Sequence, residues 1–476
     1  MRSSVFFLYK GKGNRDDPSN FRSICVQDPF AKAFSSILTT RLSSYAESND
    51  LLPKFQFGFR SRRSTISAAA LLHEVAHSRL STGKRTYAAF IDFKKAFDRV
   101  RRPLLFKKLL LLGIPSRFCL MLDNIFRETR YVIKSGEFFS EPYTSNVGVP
   151  QGDPISPILF NLFISDLPLF LQHNGITLHG CNIPYIQYAD DLCILADTPE
   201  DLQRALTNLE TYCTINSIEI NVPKSKIMVF HRGRLPHCNF VLDGREVDLV
   251  NEFCYLGFTF TVQLSFSKHA QQVTSRARSK CGVLFAQLPL LDLPLNIVLD
   301  LFNIFILPVF TYGLPLYINN CPNSALQAID ATLTKYLKRY LQVPLHSNNA
   351  TVHFVTGTIP LSSTLKHLVP NNMGSFTFPE DFSGYSISFL SSLTPSPIEV
   401  IQRDLIERIP STFWLSRTFS YLPSNKKFRK LICREILDTG HYNICKSTSF
   451  HPYPSLTCIC VLCGENAHPY HSRFCN

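Results

Sequence analysis

Tyr188-Ala189-Asp190-Asp191, set between Ile186 and the apolar run Leu192-Cys193-Ile194-Leu195-Ala196, is the stretch whose reading decides the fold. Its flanks read as two buried strands of a hairpin whose tip presents Asp190 and Asp191 side by side. Adjacent carboxylates repel each other, and either protonation or a divalent cation such as Mg²⁺ relieves the repulsion. Taken alone, the four residues also fit an ordinary polar turn.

Upstream, Thr86-Tyr87-Ala88-Ala89-Phe90-Ile91 is a continuous apolar, β-rich run ending in Asp92, which puts a third carboxylate at the end of a central strand. Three acids from separate strands suit a pair of divalent ions ~3.5–4 Å apart, one activating a 3′-hydroxyl and the other steadying a triphosphate. Between these segments, Gly148-Val149-Pro150-Gln151-Gly152-Asp153-Pro154-Ile155-Ser156-Pro157 is a Gly/Pro-punctuated loop. It opens an apolar helix through Leu159, Phe160, Leu162, Phe163 and Leu167, and its backbone can approach a nucleotide closely.

These stretches resemble motifs of the reverse transcriptases of non-LTR (LINE-type) retrotransposons: Phe90 to Asp98 motif A, Gly148 to Leu162 motif B, and Tyr188 to Asp191 motif C. Asn20-Phe21-Arg22-Ser23-Ile24 and Gln56-Phe57-Gly58-Phe59-Arg60 with Ser64-Thr65 are similar to the fingers motifs. Asn221-Val222-Pro223-Lys224-Ser225-Lys226 and Tyr255-Leu256-Gly257 are similar to motifs D and E. The resemblance runs from about Tyr9 to Pro344, and its specificity lies in the ordered set rather than in any one member.

The resemblance implies an α+β right-hand polymerase. Partial fingers would span 1–85, a split βαβ palm with motifs A to E 86–260, a helical thumb 261–344, a connector 345–450, and a small C-terminal zinc knuckle 451–476. It implies an RNA-directed DNA polymerase that joins dNTPs to a primer 3′-hydroxyl, with an RNA template and a DNA primer or target DNA as partners. Asp92, Asp190 and Asp191 would be the catalytic ligands of two Mg²⁺ ions. Phe97, five residues after Asp92, matches the aromatic steric gate that excludes a 2′-hydroxyl, although it also reads as a core Phe after a strand. Gln151 with Gly152 would contact the incoming nucleotide, and Lys10 and Arg22 resemble the fingers cations that clamp its triphosphate. Lys224 reads either as a cation steadying pyrophosphate or as a solvated turn lysine. Asp98 and Asp153 are typical of the family without an assigned step, and Tyr188 is expected to pack under the hairpin.

At the other end, Cys460-Val461-Leu462-Cys463-Gly464 supplies a knuckle that His471 and Cys475 complete as a Cys₃His set for one structural Zn²⁺, with Cys458 and His468 as substitutes. The alternative is a tail of free thiols. The scattered cysteines elsewhere, in a chain of 476 residues with 15 Cys, read as reduced thiols and an intracellular protein of nucleus or cytoplasm. The apolar run at Val5 to Leu8 is too short for a signal sequence. Leu301 to Gln327 carries no charge but contains three prolines, so it reads as a buried helix pair rather than a membrane span.

Lys+Arg 49 against Asp+Glu 36 gives a formal charge of +13, which favours a polyanionic partner. With 45% hydrophobic residues the chain can bury a large core in two or more subdomains, which argues against general disorder. Asp28-Pro29 starts a helix expected to bury Phe30, Phe34, Ile37, Leu38, Leu42 and Tyr45, and Thr198-Pro199-Glu200-Asp201 caps another. Lys268, Arg276, Arg278, Lys280, Lys335, Lys338, Arg339 and Tyr340 would line either a duplex-gripping thumb face or a solvated one. From Pro344 to about Pro397, Ser, Thr, Asn and Pro predict a connector with little core. The chain starts almost inside the first fingers motif, so it is expected to be an N-terminally truncated copy without its endonuclease. Two rivals remain: an inactive or domesticated nucleic-acid-binding remnant, and a group II intron-type maturase, which would carry an intron-binding domain after the thumb.

Overall fold

Thr86–Ile91 is buried along its whole length and holds an inner position of a four-stranded sheet, as its unbroken apolar run requires. In the computed structural model, which describes residues 2–11, 13–171, 175–178, 180–233 and 238–373, the sheet order is Lys226–Phe230, Thr86–Ile91, Asp191–Ala196, Tyr185–Tyr188. Every neighbour is antiparallel, and the register pairs Ile91 with Leu192 and Tyr188 with Asp191. Asp92 therefore leaves its strand at the same end of the sheet as the hairpin tip. Helices Thr65–Ser81 and Pro199–Asn216 pack on this sheet. The second starts where Thr198 accepts a hydrogen bond from the Asp201 amide at 3.1 Å, while its hydroxyl donates to the Asp201 carboxylate at 3.0 Å.

A second sheet has Arg2–Tyr9 between Phe21–Gln27, which runs antiparallel to it, and Arg130–Ser135, which runs parallel. Helix Pro29–Ser48 follows, with Asp28 as its N-cap accepting from the Phe30 amide at 3.0 Å. Its buried stripe differs from the expected one: Ala31, Ser35, Leu38, Leu42 and Ala46 face inward, while Phe30, Phe34, Ile37 and Tyr45 are exposed. The reason is polar. Ser35 donates to the buried carboxylate of Asp153, which also accepts from the Gln27 side chain at 2.6 Å and the Ile155 amide at 3.2 Å, and this staple turns the small-residue stripe inward.

The apolar helix after the Gly148–Pro157 loop is also shorter than expected. It spans Ser156–Phe163, and Leu167–Phe170 is a separate turn, because Pro168 lacks an amide proton and its ring would clash with the Ile164 carbonyl.

The described residues divide into two compact units, one ending at Leu264 and one beginning at Ser265. In the second, helix Asn323–Leu341 packs against Ser267–Gln287, Asn349–Thr356 and Leu361–Met373. Over 349–373 those last two helices correct the expectation of a connector with little core after Pro344, and the rest of that connector lies outside the described residues. Asn348 caps the first by accepting from the Ala350 and Thr351 amides, Gly357 ends it at φ 63, and Val352, Val355, Leu361, Leu365 and Val369 are buried. Among the described residues no single helix is long and apolar enough to cross a membrane; Leu295–Thr311 and Leu314–Asn320 meet that test only as a pair bent by 54°.

The expected basic face is corrected as well. Lys338 is buried, with its ammonium donating to the Leu345 carbonyl at 2.7 Å and to the Ser347 carbonyl and Asn349 Oδ1 at 2.6 Å. Tyr340 is buried and donates to the Leu293 carbonyl at 3.0 Å. Both serve the helical core. Lys268, Arg276, Arg278, Lys280, Lys335 and Arg339 are the exposed members of the set.

Candidate active site

The turn Ala189-Asp190 joins the two hairpin strands, and Ala189 sits at φ 56, a left-handed conformation that a residue with a Cβ adopts only when its surroundings hold it. The holding groups are amides. Gln56 Oε1 accepts from the Gly58 amide at 2.8 Å and the Ala189 amide at 3.0 Å, while Gln187 Nε2 donates to the Ala189 carbonyl at 3.0 Å. The backbones of Phe55, Phe57 and Gln187 exchange bonds of 2.9 and 2.7 Å, and Asn161 Nδ2 donates to the Gly58 carbonyl at 2.7 Å. A Cβ on Gly58 would stand 2.4 Å from the Ala189 nitrogen, so only glycine admits this approach. Tyr188 tilts against Phe59 with ring centroids 6.2 Å apart. Sequence reasoning gave Gln56, Gly58 and Gln187 no role; the signal available was Gln-x-Gly within a fingers-like motif, which carries no contact information by itself.

Asp92, Asp190 and Asp191 share one electrostatic field. Burial raises the Asp190 carboxyl, Asp92 raises it further, and the Arg22 guanidinium opposes both. Burial and then the charges of Asp190 and Asp92 push Asp191 up to about 6. Asp191 is exposed, Asp92 and Asp190 half-buried. Their hard oxygen donors fit a divalent cation of the Mg²⁺ class. Among the described residues no set of three or more His, Cys, Asp or Glu lies at metal-ligand spacing. Asp92 is held from outside the cluster: Asn221 Nδ2 donates to its Oδ2 at 2.7 Å, and the Ser225 hydroxyl accepts from its amide at 3.2 Å.

Beside the acids, the Gly148–Gln151 loop zips onto the chain after Asp92. Gly148 and Val149 donate to the Val100 and Phe97 carbonyls at 2.8 and 2.9 Å, and Gln151 Nε2 donates to Asp98 Oδ1 at 3.2 Å. Burial raises the Asp98 carboxyl, opposed by Lys95, the Gln151 bond and Lys10. Phe97 is half-buried and stacks on Phe160, centroids 4.5 Å apart and planes 18° apart. Gly152, at φ 107, leaves no room for a Cβ, which would meet the Cys25 carbonyl at 2.4 Å, and the Cys25 amide donates to the Gln151 carbonyl at 2.7 Å. This loop is thus clamped between the two sheets, with Arg102 donating to the Gly148 carbonyl at 2.9 Å. Arg22 and Lys10 act electrostatically on Asp190 and Asp98, and both are exposed, as is Lys224 in the turn after Asn221. Cys460, Cys463, His471 and Cys475 lie outside the described residues.

The reverse transcriptase (RNA-dependent DNA polymerase) family profile matches residues 10–260, more than half of the chain. The RNA-directed DNA polymerase from the mobile element jockey of Drosophila melanogaster is 26% identical over 352 residues, covering 72% of this chain and 38% of that protein. The retrovirus-related Pol polyprotein from the type-2 retrotransposable element R2DM, also of Drosophila melanogaster, is 26% identical over 351 residues, covering 71% of this chain and 32% of that protein. The chain thus spans about a third of the length of these relatives. Telomerase from Candida tropicalis, solved with a fragment of telomeric RNA, matches at 12% identity and a TM-score of 0.42 over 83% of this chain and 64% of that one, a likeness too low to argue from. On the family match over more than half of its length, this chain belongs to the reverse transcriptase family.

Proposed function

We propose that this chain is an RNA-directed DNA polymerase of a non-LTR retrotransposon, joining dNTPs to a DNA primer 3′-hydroxyl on an RNA template. The observation that carries the reading is the placement of Asp92 beside Asp190 and Asp191 at one end of the central sheet, where, on top of burial, Asp92 raises the Asp190 carboxyl and the two together raise that of Asp191. Two Mg²⁺ ions, when bound, would supply the activation of the 3′-hydroxyl and the neutralisation of the triphosphate. Asp92, Asp190 and Asp191 would hold them. Arg22 and Lys10, which already act on Asp190 and Asp98, would bring positive charge to the triphosphate, with Lys224 as a third cation; all three are exposed. Phe97, braced by Phe160, would form the floor that excludes a 2′-hydroxyl, and Gln151, braced by Asp98, would face the nucleotide.

On this reading residues 1–85 are partial fingers and 86–260 the palm. The thumb begins at 261, and we extend it to 373 because the helices Asn349–Thr356 and Leu361–Met373 pack on Asn323–Leu341. Cys460, Cys463, His471 and Cys475 would hold one structural Zn²⁺. The test is primer extension on poly(rA)/oligo(dT) with Mg²⁺. Wild type should extend, and Asp190→Ala should abolish extension while keeping primer–template affinity, because phosphate contacts elsewhere carry binding. A wild-type chain that binds the duplex without extending it would instead be a binding remnant.

A further inference from the structure

The loop between helix Pro199–Asn216 and strand Lys226–Phe230 is laced to the chain as it leaves Thr86–Ile91. Lys94 donates its amide to the Glu219 carbonyl at 2.8 Å, and Asn221 donates its amide to the Asp92 carbonyl at 2.7 Å. The Asp92 amide donates to the Ser225 hydroxyl, 3.2 Å away, which donates onward to the Asn221 carbonyl at 3.1 Å. Glu219 adds ion pairs to Lys94 and Arg99. All of these hold the loop in place, and one further bond reaches the acid itself: Asn221 Nδ2 to Asp92 Oδ2, 2.7 Å.

An ionised carboxylate can only accept, so the Asn221 amide must turn its nitrogen toward Asp92. We propose that Asn221 is the positioning residue of the acid cluster, tying down Oδ2 of Asp92 so that Oδ1 is presented to a divalent cation. The proposal rests on the reading of Asp92 as a cation ligand given above. Asp92 stands in the field of Asp190 and Asp191, and repulsion favours rotamers that swing it away. A neutral donor opposes that swing without adding charge, whereas a Lys or Arg in its place would neutralise the acid and compete with the cation. Outer partners of this kind orient ligating carboxylates and set their cation affinity.

The test uses the full chain and needs no turnover: Mn²⁺ affinity measured by the loss of the free-ion electron paramagnetic resonance signal, alongside melting temperature and the Mg²⁺ dependence of extension. Asn221→Leu keeps the size of the side chain without its donor, and Asn221→Ala removes it. Both should weaken Mn²⁺ binding by roughly 10–100-fold, with primer–template affinity unchanged and extension recovering at high Mg²⁺. Ser225→Ala loosens the same loop but keeps the bond to Oδ2, so it should lower the melting temperature without changing Mn²⁺ affinity. Wild-type Mn²⁺ affinity in both Asn221 variants, or an equal loss in Ser225→Ala, would overturn the proposal. Asp92→Asn separates the two levels: if it alone loses Mn²⁺, the positioning role fails and the ligand reading stands, and if it too binds like wild type, the ligand reading fails and takes the proposal with it.

Discussion

Asp191 stands exposed at the start of its strand, yet burial of its surroundings and then the charges of Asp190 and Asp92 push it up to about 6. Free aspartate titrates near ~3.9, so between about pH 4 and 6 the folded chain holds a proton that the unfolded chain has released. The stability this group contributes is complete below about pH 4 and is lost as pH rises through about 6. With divalent ions chelated, the melting temperature of wild type should therefore fall over that interval more steeply than that of Asp191→Asn, and Mg²⁺ should raise it more at about pH 7.5 than at about pH 5. Identical slopes for the two proteins would sink the idea. Phe97 has a separate test. Its stacking on Phe160 gives the ring a fixed plane, so Phe97→Ala should raise rNTP relative to dNTP incorporation by roughly tenfold or more. An unchanged ratio in an active variant would return Phe97 to core packing.

At the level of elements, the Gln56–Arg60 turn and the Asp190 hairpin act as one piece. Because a Cβ on Gly58 would lie 2.4 Å from backbone, Gly58→Ala should cost about 1–3 kcal/mol in denaturant unfolding and reduce extension far more than duplex affinity, by shifting Ala189 and the acids attached to it. Loss of stability with unchanged extension per folded molecule would uncouple the two elements. Two other elements show where periodicity misleads. In Pro29–Ser48, large apolar residues at Phe30, Phe34 and Ile37 advertised a core face, but the buried polar staple of Ser35 on Asp153 chose the neighbouring stripe. In Asn323–Leu341, Lys338 read as part of a duplex-gripping or a solvated face and instead satisfies three oxygens of the segment after Leu341. Desolvation lowers its ammonium accordingly.

For the whole molecule, the formal charge of +13 favours a polyanionic partner, and the chain spans about a third of the length of its retrotransposon relatives. The C-terminal Cys/His set has a direct test in the full chain. Wild type under reducing conditions should carry close to one zinc per molecule by elemental analysis, and Cys463→Ser should lose it, since three thiolates and one imidazole form a closed site. A zinc-free wild type would leave a cysteine-rich tail.

Legible in the sequence were the hairpin bearing Asp190 and Asp191, the strand ending in Asp92 and the family, because strand runs, caps and turn residues are local signals that survive without a partner. The tertiary structure alone decided which face of Pro29–Ser48 is buried, that residues 349–373 fold as helices on Asn323–Leu341, and which groups hold the acids. Gln56 reaches Ala189 across 133 positions and Asn221 reaches Asp92 across 129. Hydrogen bonds of that range depend on where the backbone returns in space, and no local pattern of residue types encodes that return.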